Sequence, residues 1–116
     1  FRYRELAMTE YPSETQREIL IRCRRNLDIA KNYDQAIELL KQNKYEMILF
    51  DYHLGDGQKT GLDIALWISN NLDYPFEFYS QSAFEMGRMK MKQVIDLYHQ
   101  KLKEQKCTII STHSEH

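Results

Sequence analysis

The chain has 116 residues, 16 basic against 17 acidic side chains, a formal net charge of −1 and 42% hydrophobic residues. That length makes a single domain over 1–116, large enough for a core without disulfide or metal staples, and the balanced charge leaves no electrostatic footprint for nucleic acid or an anionic membrane. No apolar run approaches bilayer length, no signal peptide is visible, and Cys23 and Cys107 stand apart without ligand spacing, so the expectation is a soluble cytoplasmic protein in a reducing compartment.

In chain order, Phe1 to Met8 is expected as a first strand. Thr9-Glu10-Tyr11-Pro12 breaks it, and Ser13 with Gln16 makes a capping box ahead of Ile19, Leu20 and Cys23, which predicts a helix over 13–25. Leu27 to Ala30 reads as a short strand. Tyr33 to Asn43 then carries Ala36, Ile37, Leu39 and Leu40 at helical spacing. Met47 to Phe50 is a continuous apolar run of strand length, expected to be buried on both faces of a parallel sheet and closed by the turn-forming Leu54-Gly55-Asp56-Gly57. Gly61 to Leu72 has the broad apolar face of a helix. Pro75 to Ser80 is an aromatic strand opened by a proline, a tolerated position. Ala83 to Gln105 predicts a long helix with Phe84, Met91, Val94, Ile95, Tyr98 and Leu102 as its stripe. Cys107 to Ile110 is expected as a last short strand, and 111–116 as a polar tail.

This alternation argues for an α/β fold with a mostly parallel sheet covered on both faces. In such sheets ligands bind beyond the carboxyl ends of the strands, where Asp51 lies. A carboxylate there is costly unless solvated, paired or metal-bound. By the two-residue period Asp51 and His53 would share one side of the strand.

The stretch Leu27 to Leu40, then Tyr45 to Asp51 and Gly61-Leu62-Asp63, resembles the middle of a response-regulator receiver domain of two-component signalling. More narrowly, Asp51-Tyr52-His53-Leu54-Gly55, Thr60-Gly61-Leu62-Asp63 with Trp67, Ser80 and Gly87-Arg88 are similar to the receiver-like family proposed to process or sense cyclic-phosphate nucleotides. The resemblance implies a three-layer flavodoxin-like fold, here with the last helix missing, and Asp51 as phosphoacceptor. It also implies Thr9-Glu10 in place of the acidic pair that helps hold Mg²⁺, and Ser80 as the hydroxyl that binds the phosphoryl group. The sequence departs from the pattern at three places. His53 replaces an acid, Tyr79 and Ser82 replace a His and an Asn around Ser80, and Ser111-Thr112-His113 stands where a lysine should follow the last strand.

Two readings follow. In the first, a degenerate receiver (a pseudo-receiver) acts as a regulatory or protein-interaction domain, with Asp51 as phosphoacceptor or metal-site carboxylate. In the second, Asp51 and Ser80 are the catalytic residues of a metal-dependent protein that binds or hydrolyses cyclic-phosphate nucleotides, with Ser82 and Asp56 as further ligand contacts. The metal would be Mg²⁺ held by Asp51 and Glu10, or Mn²⁺ or Zn²⁺ if His53 is a ligand. The expected partners are a regulatory protein, a cyclic nucleotide, or a second copy meeting the aromatics Tyr74, Phe76, Phe78 and Tyr79.

Overall fold

The computed structural model describes residues 4–9, 26–54, 59–80 and 84–114. Within them the order is β1 (Arg4–Met8), β2 (Asn26–Ala30), α1 (Tyr33–Gln42), β3 (Met47–Phe50), α2 (Gly61–Asn71), β4 (Glu77–Ser80) and α3 (Glu85–Ser114). The helix expected over 13–25 lies outside the described residues. All three pairings are parallel and the sheet order is β2-β1-β3-β4, a flavodoxin-like arrangement through the fourth strand.

Local sequence explains each boundary. Asn32 caps α1 by accepting the Gln35 N–H at 2.9 Å, while the Gln35 side chain accepts the Lys31 N–H at 2.9 Å. Asn43 closes that helix, its backbone N–H and its Nδ2 both donating to the Leu39 carbonyl. At the start of α2, the Asp63 carboxylate accepts the Thr60 backbone N–H at 2.7 Å and the Thr60 hydroxyl at 3.3 Å. Both ends follow the rule that orphan helix-terminal groups find side-chain partners.

The core lies between one sheet face and the helices. Leu6 and Met8 of β1, and Ile48 and Phe50 of β3, are fully buried against Ile64, Ile68, Met91 and Ile95. Full burial of each such side chain is worth roughly 1.5–3 kcal/mol. The expectation that β3 is buried on both faces holds only in part, since Met47 and Leu49 are half-buried. Of the aromatics expected on an exposed oligomer surface, Phe76 is buried and Tyr74 and Phe78 pack on the core, stacking toward Phe50 and Tyr98. Tyr79 alone of the four is exposed.

Along α3 the buried positions are Gly87, Met91, Ile95 and Tyr98, with Leu102 half-buried, as the 3.6-residue period requires. Phe84 stands before the helix and is exposed rather than part of this stripe. The strand expected at 107–110 is helix instead: α3 runs unbroken for 30 residues, to Ser114, about 45 Å at 1.5 Å per residue. The reason is visible in the sequence. No Gly, Pro, Asn or Asp follows Asp96 before the helix ends, so nothing turns the chain back to the sheet.

Candidate functional site

The carboxyl ends of β3 and β4 are held level by register, because Phe50 pairs with Ser80. Asp51 is the first residue beyond β3 and is half-buried. Ser80 is the last residue of β4, and its Oγ is buried with no hydrogen-bond partner among the described residues. A buried hydroxyl without a partner forfeits about 1–3 kcal/mol of solvation, so its persistence at a strand end needs a reason.

Two glycines let the surrounding backbone close on this point. A Cβ on Gly61 would fall on the Asp51 carbonyl oxygen and lie 2.8 Å from Met91 Sδ, while the Gly61 N–H donates to the Tyr52 carbonyl at 2.9 Å. A Cβ on Gly87 would enter the Tyr52 ring, 2.6 Å from Cγ, and come within 2.7 Å of Phe84 Cδ1. The first turns of α2 and α3 are thereby brought against the exit of β3.

His53 is not held beside Asp51 by strand geometry, because β3 ends at Phe50 and the two-residue period stops there. It is exposed, and its ring lies 5.1 Å from Tyr52, edge-on at 88°, and 5.9 Å from Phe84. Tyr52 and Phe84 are 5.0 Å apart. This aromatic corner was not anticipated from the sequence. Its one signal was the pair of aromatic residues following two strand ends, Tyr52 after Asp51 and Phe84 after Ser80. Glu10, Asp56 and Ser82 lie outside the described residues. Among the described residues no group of three His, Cys, Asp or Glu side chains could hold a metal ion; Asp51 is the one member of the expected metal-binding set placed at the strand ends among them.

The perturbed titrations lie at the opposite end of the sheet. Tyr45 donates to Asp28 Oδ2 at 2.7 Å, and Arg4 donates to Asp28 Oδ2 at 3.4 Å and to Asn43 Oδ1 at 2.7 Å. Burial, then the bond to Asp28, pushes the Tyr45 phenol well above its usual range. The Tyr45 N–H donates to the Tyr74 hydroxyl, and the Tyr98 hydroxyl accepts the Tyr74 N–H at 3.0 Å and donates to its carbonyl at 2.5 Å. Burial pushes Tyr98 up to about 12 and raises Tyr74 as well. His99 Nε2 accepts the Phe76 N–H at 3.3 Å, and burial lowers its pKa. These groups tie α3 to the loops entering β3 and β4. They serve anchoring, far from Asp51.

The cyclic-phosphate processing receiver domain matches residues 16–97. The chain belongs to that family. Among solved structures, this receiver is similar to a response regulator from Burkholderia pseudomallei with a phosphorylated aspartic acid, calcium ion and citrate (21% identity, TM-score 0.59, 79% of this chain and 55% of that one). It is also similar to a CheY-like receiver domain from Methylobacillus flagellatus (20%, 0.58, 75% of each). A third is the signal receiver domain of an HD domain-containing protein from Pseudomonas fluorescens (15%, 0.51, 88% and 93%). These identities speak to the fold alone, and the chain spans about half the length of the Burkholderia protein. No curated protein matches the chain. No described helix is long and apolar enough to cross a membrane.

Proposed function

We propose that this chain is a regulatory receiver-like domain whose input is non-covalent: the carboxyl ends of β3 and β4 take the phosphate of a cyclic-phosphate nucleotide, and phosphotransfer to Asp51 is degenerate. The observation that carries the reading is the buried Ser80 hydroxyl, unpartnered among the described residues and in register with the residue before Asp51. An anionic oxygen arriving there accepts the hydroxyl proton and restores the missing hydrogen bond, and bonds to charged acceptors are the stronger kind. The degenerate label is supported at the end of β1. Thr9 directly follows β1, where the resemblance places the first of the two acids that help hold Mg²⁺.

Output runs through α3, whose exposed Met86, Met89 and Leu97 offer an apolar surface to a regulatory protein partner. Its first turn rests on the Tyr52 ring through Gly87, so a ligand that moves the β3 exit moves the start of α3.

A second reading keeps Asp51 as a working phosphoacceptor, supported by its position just beyond β3 and by the similar Burkholderia response regulator with a phosphorylated aspartic acid. Thermal-shift titration separates the two, since a ligand that binds only the native state raises its stability. Stabilisation by adenosine 2′,3′-cyclic or 3′,5′-cyclic monophosphate supports the first reading. Stabilisation by beryllofluoride with Mg²⁺ that vanishes in Asp51→Ala supports the second. Turnover of the cyclic phosphate would extend the first reading to hydrolysis, with Asp51 and Ser80 as the residues to test. Silence from every ligand would contradict both.

A further inference from the structure

We infer that the outer edge of β4 pairs antiparallel with the β4 of a second copy of this chain, joining the two sheets across a two-fold axis at Phe78. The inference is independent of the phosphate-binding reading. β4 ends the strand order β2-β1-β3-β4, so one of its edges meets β3 and the other meets no strand among the described residues. Hydrogen bonding fixes which groups lie on which side. The Glu77 N–H donates to the Glu46 carbonyl at 2.8 Å, and the backbone groups of a paired strand alternate sides from residue to residue. Glu77 and Tyr79 therefore bond to β3, while Phe76, Phe78 and Ser80 turn their backbone groups outward. The Phe76 N–H bears this out, since it reaches His99 Nε2 at 3.3 Å. Among the described residues nothing meets the Phe78 N–H and carbonyl or the Ser80 N–H on that side.

An open edge is a template for another strand unless charge, proline or a bulge guards it. Pro75 stands before β4, and within the strand the one charged residue is Glu77. A two-fold axis at Phe78 disarms that charge. The two Phe78 residues exchange N–H···O=C bonds, each Ser80 N–H meets the Phe76 carbonyl of the other copy, and each Glu77 falls directly opposite Tyr79 instead of the other Glu77. Glu77 and Tyr79 are both exposed, Tyr79 at 51%, and share one face of the strand. They would occupy the non-hydrogen-bonded positions, where Cα atoms stand about 4.5 Å apart, so the phenol of one copy can donate to the carboxylate of the other. This self-complementarity names a second copy as the occupant. Sheets that are otherwise parallel commonly carry an antiparallel edge. With a strand of only four residues the interface is small, and the dimer is weak and concentration-dependent.

The test is sedimentation velocity of the whole chain over a concentration series, on wild type, Tyr79→Glu and the double variant Glu77→Lys/Tyr79→Glu. Both replaced side chains are exposed, and a thermal melt verifies that the variants fold. Wild type is expected to pass from monomer to dimer as concentration rises. Tyr79→Glu sets two carboxylates face to face on each side of the axis and should weaken the dimer on the order of tenfold. The double variant sets opposite charges face to face there and should restore it. Amide exchange at Phe78 reads the contact itself, and should slow with rising concentration in wild type but not in Tyr79→Glu. A wild type that stays monomeric at every concentration, the result expected if the edge takes another protein's strand, overturns the inference. A dimer that neither variant alters, with Phe78 exchange independent of concentration, overturns it as well.

Discussion

Replacing Gly61 with alanine sets two physical effects of opposite sign against each other. Gly61 opens α2, and by propensity alone alanine should stabilise a helix by up to about 1 kcal/mol, partly by reducing the freedom of the unfolded chain. The structure predicts the reverse. The new methyl group would fall on the Asp51 carbonyl oxygen and crowd Met91 Sδ, 2.8 Å away, and the first of these is backbone that no rotamer change can move. Forced accommodation of a methyl in a packed site costs about 1–3 kcal/mol, and shifting the helix start also stretches the 2.9 Å bond from the Gly61 N–H to the Tyr52 carbonyl, worth about 1 kcal/mol. The sum, less the propensity gain, is a net loss of about 1–3 kcal/mol. Urea unfolding of wild type and variant measures it directly, with unchanged m-values required for the comparison. A Gly61→Ala protein as stable as wild type, or more so, would refute the reasoning that places α2 hard against the β3 exit.

Other outcomes follow from the opposite end of the sheet. Tyr98→Phe removes the hydroxyl that both accepts the Tyr74 N–H and donates to the Tyr74 carbonyl, and should cost about 1–3 kcal/mol in urea unfolding because a half-buried backbone loses two bonds at once. His99 accepts the Phe76 N–H only when neutral, and its pKa is lowered in the fold. The unfolded chain therefore binds more protons than the fold between the depressed pKa and about 6.5, so the contribution of His99 is complete above that range and is lost as pH falls through the folded pKa. Asp96, which favours the charged form, and Lys103, which opposes it, are the neighbours acting on it. Melting temperature measured from pH 7.5 to 5 should fall more steeply in wild type than in His99→Gln, and parallel curves would contradict the assignment.

Much of the fold was legible because periodicity reports burial directly. Ala36, Ile37 and Leu40 faced the core as their spacing required, and so did Met91, Ile95 and Tyr98. The run Met47 to Phe50 located β3 to the residue. What failed was decided elsewhere. Cys107 to Ile110 has strand-like composition, yet with no turn-former after Asp96 the helix simply continues. Phe84 fitted the stripe of α3 by position but precedes its first turn, where packing on Tyr52 determines its place.

At the site, Asp51 and Ser80 were readable as strand-end residues, and register brings those strand ends together. The roles of Gly61, Asp63 and Gly87 were not readable. Two are close approaches and one is a helix cap, all of which depend on neighbours distant in sequence or on local hydrogen bonds. The aromatic corner was missed for the same reason, because Phe84 and Tyr52 lie 32 positions apart in the chain yet 5.0 Å apart in space.

The most direct test of the central claim is Ser80→Ala, melted with and without adenosine 2′,3′-cyclic monophosphate. If the buried hydroxyl is kept for a ligand, removing it relieves an unmet hydrogen bond in the free protein. The variant should then melt at or above the wild-type temperature while its response to the nucleotide falls sharply. A variant that is less stable yet still responds like wild type would mean that Ser80 serves the fold, and would contradict the account.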